Sequence, residues 1–457
     1  MGNSISSNLT DYATPSKNPV LFYCLGFSLV VGLADSYLDY RQRQIYKKKD
    51  HKLPEVFKDV MSEEKFEKSR LYALDRSYFS LYSGSFSSIK DLGFTLLFVT
   101  PLMLKFCSDL TEGFLPSWNR EFVVTNTFLI VSGLLDTLIS LPFKLYSQFV
   151  IEENHGFNKM SYKFYFMDLL KQLAVSTVIQ LPITWILIYC INKTGDYFVP
   201  ITWSVTCGIT LLMMTIYPAF IAPLFDKYTP LEDSELKTKI EALAKQIDFP
   251  LTKLFVVDGS NRSSHSNAYM YGFHKNKRIV LYDTLIHKFK LKNGEENEKG
   301  CNDDEICSVL GHELGHWKMG HVMKNLVITQ AILFMYFYGF SKVQNNAELF
   351  SQFGFSPNEA PPSLIQLSYA TGFLMAPINE VIGCFMVMFS RYNEYQADEY
   401  AYKLNSKYGP LLKSSLKKLQ TDNLSFPIHD KWYSWRHHSH PSTIERCETI
   451  DEMMKKE

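Results

Sequence analysis

The chain has 457 residues, and its 47 Lys+Arg balance 47 Asp+Glu, so the formal net charge is zero. That balance argues against a nucleic-acid partner, which calls for a basic excess. A hydrophobic fraction of 46% with 21% charged residues is too apolar for a disordered chain. The eight cysteines (Cys24, Cys107, Cys190, Cys207, Cys301, Cys307, Cys384 and Cys447) include no CxxC pair. Most lie in or beside apolar runs and read as small buried hydrophobes rather than as disulfides or zinc ligands.

A spanning helix needs about 20 mostly apolar residues. Seven runs qualify, at 19–37, 92–110, 122–143, 173–191, 198–224, 326–340 and 364–389. The second is interrupted by Pro101 and Lys105, and the sixth is short. The first lacks the basic start and small-residue cleavage site of a signal peptide. Lys and Arg crowd the segment from Arg41 to Arg76, the loop 144–171, the stretch from Lys227 to Lys324 and the C-terminal tail. They thin to Arg120, Lys193 and Lys342 in the loops between. Cytosolic loops carry the Lys/Arg excess, so the alternation predicts a lumenal N-terminus and a cytosolic C-terminus. On that side, the myristoylation pattern at Met1–Ser6 is out of reach of the cytosolic enzyme, while Asn8-Leu9-Thr10 is open to glycosylation. Asp136, Asn379 and Glu380 fall inside the runs. Each is read either as a helix–helix hydrogen bond or as the lining of a hydrated interior.

The pattern divides the chain into four parts. Residues 1–225 hold an N-terminal tail and spans one to five, with a basic cytosolic loop at 38–90. Residues 226–325 form a cytosolic α/β unit, 326–389 hold spans six and seven, and 390–457 carry a further helix and the cytosolic tail. Within the α/β unit, Leu236, Ile240, Leu243 and Ile247 recur with helical spacing. Residues 253–257 and 277–282 read as strands. Residues 264–272 read as an edge strand, whose unpaired backbone groups an extended peptide can join. Residues 293–304 are charged and read as a surface loop.

The run His312-Glu313-Leu314-Gly315-His316 is an HExxH pattern. On a helix, residues four apart share a face, so both imidazoles can reach one Zn²⁺. Glu313, offset by about 100°, can act as general base. A catalytic zinc takes three protein ligands and keeps a fourth position open. The extended motif with a third histidine is excluded, because Met319 and Val322 stand at its glycine and histidine positions. His321 would lie about 140° around an uninterrupted helix from His316 and is expected to stay outside the site. Downstream, Glu394 and Asp398 share a helical face. Glu394 can bind zinc while Asp398 accepts the outer N–H of a ligand histidine, against the alternative of a solvated acidic face. Two runs separate His316 from Glu394, so the chain returns to the same side of the membrane and the ligands can meet. Ser439-His440-Pro441-Ser442, followed by Glu445-Arg446, is a candidate hydrogen-bond donor to an oxyanion.

With these motifs stand residues 141–143, 149–153 and 155–159, Pro223 to Lys227, Thr229 to Leu231, Asp258 to Ser260, Ser263 to Tyr269, Ser390-Arg391, Glu394 to Ala401 and His440-Pro441. Together they resemble the type I CAAX prenyl proteases from about residue 20 to 450. The resemblance implies a mainly α, polytopic membrane protein. Seven transmembrane helices would enclose a water-filled chamber capped by a cytosolic gluzincin-type metalloprotease domain. It implies one zinc per chain on His312, His316 and Glu394, with Glu313 as general base. Asp398 matches the acidic residue after the third ligand, and His440 and Arg391 match positions near the metal. Asn267 and Ala268 match the segment that pairs with substrate backbone.

The implied reaction removes the -aaX tripeptide from proteins with farnesylated or geranylgeranylated CaaX termini. The implied setting is the lipid bilayer of the endoplasmic reticulum and often the inner nuclear membrane. Residues 1–18 and the 293–304 loop do not align with the family pattern. Two other readings compete. One is a quality-control membrane metalloprotease that needs no prenyl group. The other is a scaffold or transporter with a structural zinc, which would use four protein ligands where three are evident.

Overall fold

A computed structural model describes residues 15–112, 120–272, 276–291, 294 and 296–456. The Met1–Ser6 and Asn8–Thr10 motifs, and part of the 293–304 loop, lie outside the described residues.

In lipid, a helix closes its backbone hydrogen bonds within one segment, and the apolar runs fold accordingly. The N-terminal half holds α1 (Pro19–Lys47), α2 (Glu63–Leu96), α3 (Val99–Leu110), α4 (Arg120–Tyr146), α5 (Tyr162–Lys193) and α6 (Phe198–Ile216). Five segments are long and apolar enough to cross a membrane: Pro19–Lys47, Arg120–Asn154, Tyr162–Lys193, Gly195–Leu224 and His321–Ser341. The second and seventh runs are bent pairs. α2 meets α3 at 66°, and Ser363–Leu374 meets the helix after it at 69°, giving seven spans if each pair counts once. The first bend falls at Phe98, which has a φ of 51° and is buried. Hydropathy cannot register such a change of direction.

The 38–90 segment is largely helical rather than a loop. α1 runs on to Lys47, and α2 starts at Glu63 because the Ser62 hydroxyl accepts the Lys65 N–H at 3.2 Å.

Only 6–22% of the residues in the five apolar windows are buried, so these helices do not close into a solid bundle. The three polar residues singled out within the apolar runs are paired across helices. Asp136 accepts from Lys90 on α2 at 2.6 Å while staying 66% exposed. The Asn379 side chain accepts from the Tyr336 hydroxyl at 2.8 Å, and Glu380 pairs with Arg436 at 2.6 Å. All eight cysteines are free thiols, and six are buried.

After α6 come β1 (Tyr228–Pro230), α7 (Glu235–Gln246), β2 (Leu251–Val257), β3 (Ala268–Tyr271), β4 (Lys277–Tyr282) and α8 (Asp303–Lys318). The sheet order is β1-β2-β4-β3. β2 and β4 are parallel, and the outer strands are antiparallel to their neighbours, which leaves β3 at an edge. Leu236, Ile240 and Leu243 of α7 pack with Leu254, Ile279, Leu281, Ile306, Leu310 and Leu314 in one core, which seats α8 against the sheet. Fully burying each such side chain contributes about 1.5–3 kcal/mol. α9 (His321–Ser341), α10 (Ser363–Tyr369) and α11 (Ala376–Leu404) carry the chain away and back, so that α11 packs along α8. α12 (Tyr408–Asp422), α13 (Lys431–His437) and α14 (Thr443–Lys455) close around the pair.

Candidate metal centre and active site

α8 starts at a capping box. Asn302 accepts the Glu305 N–H at 3.0 Å, and the Glu305 carboxylate accepts the Asn302 N–H at 2.9 Å. Acidic Asp303, Asp304 and Glu305 fill its first turn, where the helix dipole favours them. Further along, Gly311 and Gly315 face α11. A methyl on Gly315 would come within 3.1 Å of the Ala397 carbonyl oxygen and 3.2 Å of its Cα. The two helices therefore approach almost backbone to backbone.

That approach brings three donors together. His312 Nε2 and His316 Nε2 are 3.1 Å apart. Glu394 lies 3.5 Å from the first through Oε2 and 3.3 Å from the second through Oε1. These three form a group able to hold a metal ion, with one ligand atom from each within 4.8 Å of the others. Glu313, partly exposed, sits beside them on α8.

Behind the donors lies a buried charge pair. Asp398, 0% exposed, sits with Oδ1 2.8 Å from His312 Nδ1. Arg446 of α14 donates to both Asp398 oxygens, at 2.6 and 2.8 Å, and its Nη1 lies 3.4 Å from Glu394. Burial alone would raise the Asp398 carboxyl, but Arg446 and His312 hold it below the usual carboxylate range. Burial works the same way on Glu394, and the two histidines and Arg446 drive it far below that range. On His312, burial and Arg446 oppose protonation. Asp398 and Glu394 outweigh them, and its pKa is pushed up to about 9.

The other predicted residues fall around this centre. His440 Nε2 is 3.3 Å from Glu394 Oε1, with the side chain 63% exposed. Arg391 donates to the His440 carbonyl at 3.2 Å and pairs with Glu445 at 3.1 Å, so it holds the loop that carries His440. Ala268 opens β3, which packs beside α8. The Asn267 carbonyl accepts the Tyr282 N–H at 3.0 Å, and Ala268 pairs with Leu281. In that antiparallel register the Ala268 peptide groups turn to the outer edge. Its N–H is taken by Asn267 Oδ1 at 2.8 Å, and its carbonyl faces outward.

His321 is not among the three donors, but it stands closer to them than an uninterrupted helix would place it, because α8 ends at Lys318 and Gly320, with a φ of 69°, breaks the helix. With the helix broken there, His321 Nδ1 lies 2.9 Å from His316 Nδ1. A glycine just past the end of a helical run is a stop signal, and Met319-Gly320 carries it. Gln396, which His321 contacts at 3.2 Å, gives no sequence signal.

The fold and the site define a class: a polytopic membrane protein carrying an HExxH motif whose two histidines meet a distant glutamate in a group able to hold a metal ion. Residues 42–227 match the family described as CAAX prenyl protease N-terminal, five membrane helices, and this stretch holds α2 to α6. Residues 230–454 match peptidase family M48. CAAX prenyl protease 1 homolog of Homo sapiens is 41% identical over 96% of this chain and 97% of its own length. CAAX prenyl protease 1 of Saccharomyces cerevisiae is 36% identical over 94% and 95%. The crystal structure of S. mikatae Ste24p superposes with a TM-score of 0.83 at 35% identity, covering 95% of this chain and 99% of that one. The chain belongs to peptidase family M48, in its CAAX prenyl protease branch.

Proposed function

We propose that this protein is a zinc metalloendopeptidase that removes the -aaX tripeptide from isoprenylated CaaX proteins at a membrane. The observation that carries the reading is the donor triangle of His312, His316 and Glu394, with edges of 3.1–3.5 Å. A tetrahedral zinc with ligands at about 2.0–2.2 Å has edges of roughly 3.3–3.6 Å, and three ligands leave the fourth position open. Zinc there supplies Lewis acidity and lowers the pKa of water to about 7.

The chain's own groups do the rest. Glu313 takes the proton of the attacking water and passes it to the leaving amine. Asp398, held by Arg446, fixes the tautomer and tilt of His312. His440 donates a hydrogen bond to the oxygen that gains charge. The outward carbonyl of Ala268 pairs with the extended substrate backbone, and Asn267 keeps that strand end in place.

Several observations support the setting. α8 leads through Gly320 into the apolar α9, which supports a site at a membrane surface. The sparse packing of the spans and the exposed Asp136–Lys90 pair suit a hydrated chamber between them. The Lys/Arg-rich loops favour an active site on the cytosolic face of the endoplasmic reticulum membrane.

The test uses purified protein in detergent with farnesylated, geranylgeranylated and unprenylated forms of one CaaX peptide. Release of the tripeptide from the prenylated forms alone is expected. Equal cleavage of all three would replace the prenyl-dependent reading with a broader quality-control protease.

A further inference from the structure

The proposed mechanism uses His312 with its buried carboxylate partner but leaves the outer face of His316 unexplained. His316 Nδ1 lies 2.9 Å from His321 Nδ1. His321 Nε2 lies 3.2 Å from Gln396 Oε1, and Gln396 Nε2 donates to the Tyr392 hydroxyl at 3.2 Å. His321 is only 2% exposed.

Hydrogen-bond logic fixes the direction of this chain. With His316 ligating through Nε2, its single proton sits on Nδ1. That N–H can only donate, so the facing His321 Nδ1 is a bare acceptor. His321 then carries its proton on Nε2 and donates it to the amide oxygen of Gln396. The amide nitrogen is left to donate onward to Tyr392, as the geometry has it. Every link has one donor and one acceptor.

The two ligand histidines are thus braced by different chemistry. His312 faces Asp398, whose charge Arg446 balances. His316 faces a neutral imidazole. One helix organises the whole site: Glu394, Gln396 and Asp398 all stand on α11.

We propose that His321 is a positioning residue for the metal site, a neutral acceptor that fixes the tautomer and orientation of His316 through the His321–Gln396–Tyr392 chain. This role rests on the zinc reading of the site.

The experiment measures zinc affinity of the full chain by chelator competition, alongside the absorption spectrum of the cobalt-substituted protein. The variants are His321→Leu, His321→Asn and His321→Gln. An Asn side chain puts its oxygen where Nδ1 stands, whereas Gln puts its oxygen near Nε2. Loss of such an outer partner weakens metal binding by about 10–100-fold. His321→Leu and His321→Gln are expected to show that loss and an altered cobalt spectrum. His321→Asn should stay within about threefold of the wild type, since it keeps the acceptor. With zinc saturating, kcat should fall in the Leu variant while KM holds.

Wild-type affinity and spectrum in His321→Leu would overturn the proposal, and so would an Asn variant no better than Gln. If His321→Leu fails to fold, Gln396→Met cuts the chain one bond further out. It must weaken zinc in the same direction by a smaller factor, and an unchanged affinity there would equally refute the chain. A wild-type protein that takes up no zinc would overturn this proposal and the functional reading together.

Discussion

The close approach of α8 and α11 gives a sharp prediction for Gly315→Ala. The added methyl would stand 3.1 Å from the Ala397 oxygen, and 3.2 Å from both Ala397 Cα and Tyr400 Cβ. Carbon atoms pack best at about 3.5–4.0 Å, so the shortfall at the two carbons is roughly 0.3–0.8 Å. None of these atoms can rotate away, and α11 has to shift outward by a few tenths of an ångström. Overpacking of this kind costs about 1–3 kcal/mol, partly offset by the gain of about 1 kcal/mol from replacing a helical glycine. Folding stability therefore falls by about 0–2 kcal/mol. The metal site changes more, because α11 carries Glu394 one turn before Ala397. Zinc affinity should fall about tenfold or more. Gly311→Ala is the control. Its methyl meets the Tyr408 ring at 3.1 and 3.3 Å, a side chain that can give way, and Ala401 Cβ at 3.6 Å. It gains the same helix propensity and should keep zinc near wild-type affinity. Chelator competition on both variants reads the difference. Equal affinities would refute the idea that these glycines set the ligand geometry.

Three further outcomes rest on the same geometry. Arg446→Met strands the buried Asp398 charge and should destabilise the protein by about 3–5 kcal/mol. Thermal unfolding should show part of that recovered in the Arg446→Met/Asp398→Asn double variant, and a loss below about 1 kcal/mol would contradict the buried-pair account. His440→Ala should lower kcat by about a hundredfold with zinc content unchanged, and a variant that keeps full kcat would remove His440 from the reaction. His429 has its Nδ1 buried without a partner, and burial, with His438 nearby, pushes its pKa down to about 4. The unfolded chain takes up that proton near pH 6.5. The stabilisation from neutral His429 is therefore present above pH 6.5 and lost as pH falls toward 4, on the order of 3 kcal/mol. Hydrogen exchange across residues 424–440 should quicken over that window in the wild type and not in His429→Phe. The same acceleration in both would exclude His429 as the cause.

Local geometry is legible in the sequence, and long-range geometry is not. His312 and His316 can be paired because helix periodicity acts over four residues. The strand at 277–282 and the periodic face of α7 are readable because burial on one side imposes their patterns. Glu394, 78 positions beyond His316, is reached through the family resemblance and the parity of the intervening spans. The contact of His321 with His316 is missed by any reading that runs an uninterrupted helix through Gly320, where a positive φ breaks it. Arg446 stands in the sequence as one basic residue among many in the tail. Its partnership with Asp398 depends on how α14 packs on α11, and no spacing rule reaches across 48 residues. The bends near Phe98 and Met375 escape for a similar reason, since an apolar window averages over direction.

The central claim is that zinc held by His312, His316 and Glu394 works with Glu313 to hydrolyse prenylated CaaX termini. The most direct measurement compares wild type with Glu313→Gln, each shown to contain one zinc per chain. It tracks tripeptide release from a farnesylated CaaX peptide. The account predicts turnover in the wild type and a loss of at least about a hundredfold in the variant. Turnover in Glu313→Gln near the wild-type rate, at equal zinc content, would contradict it.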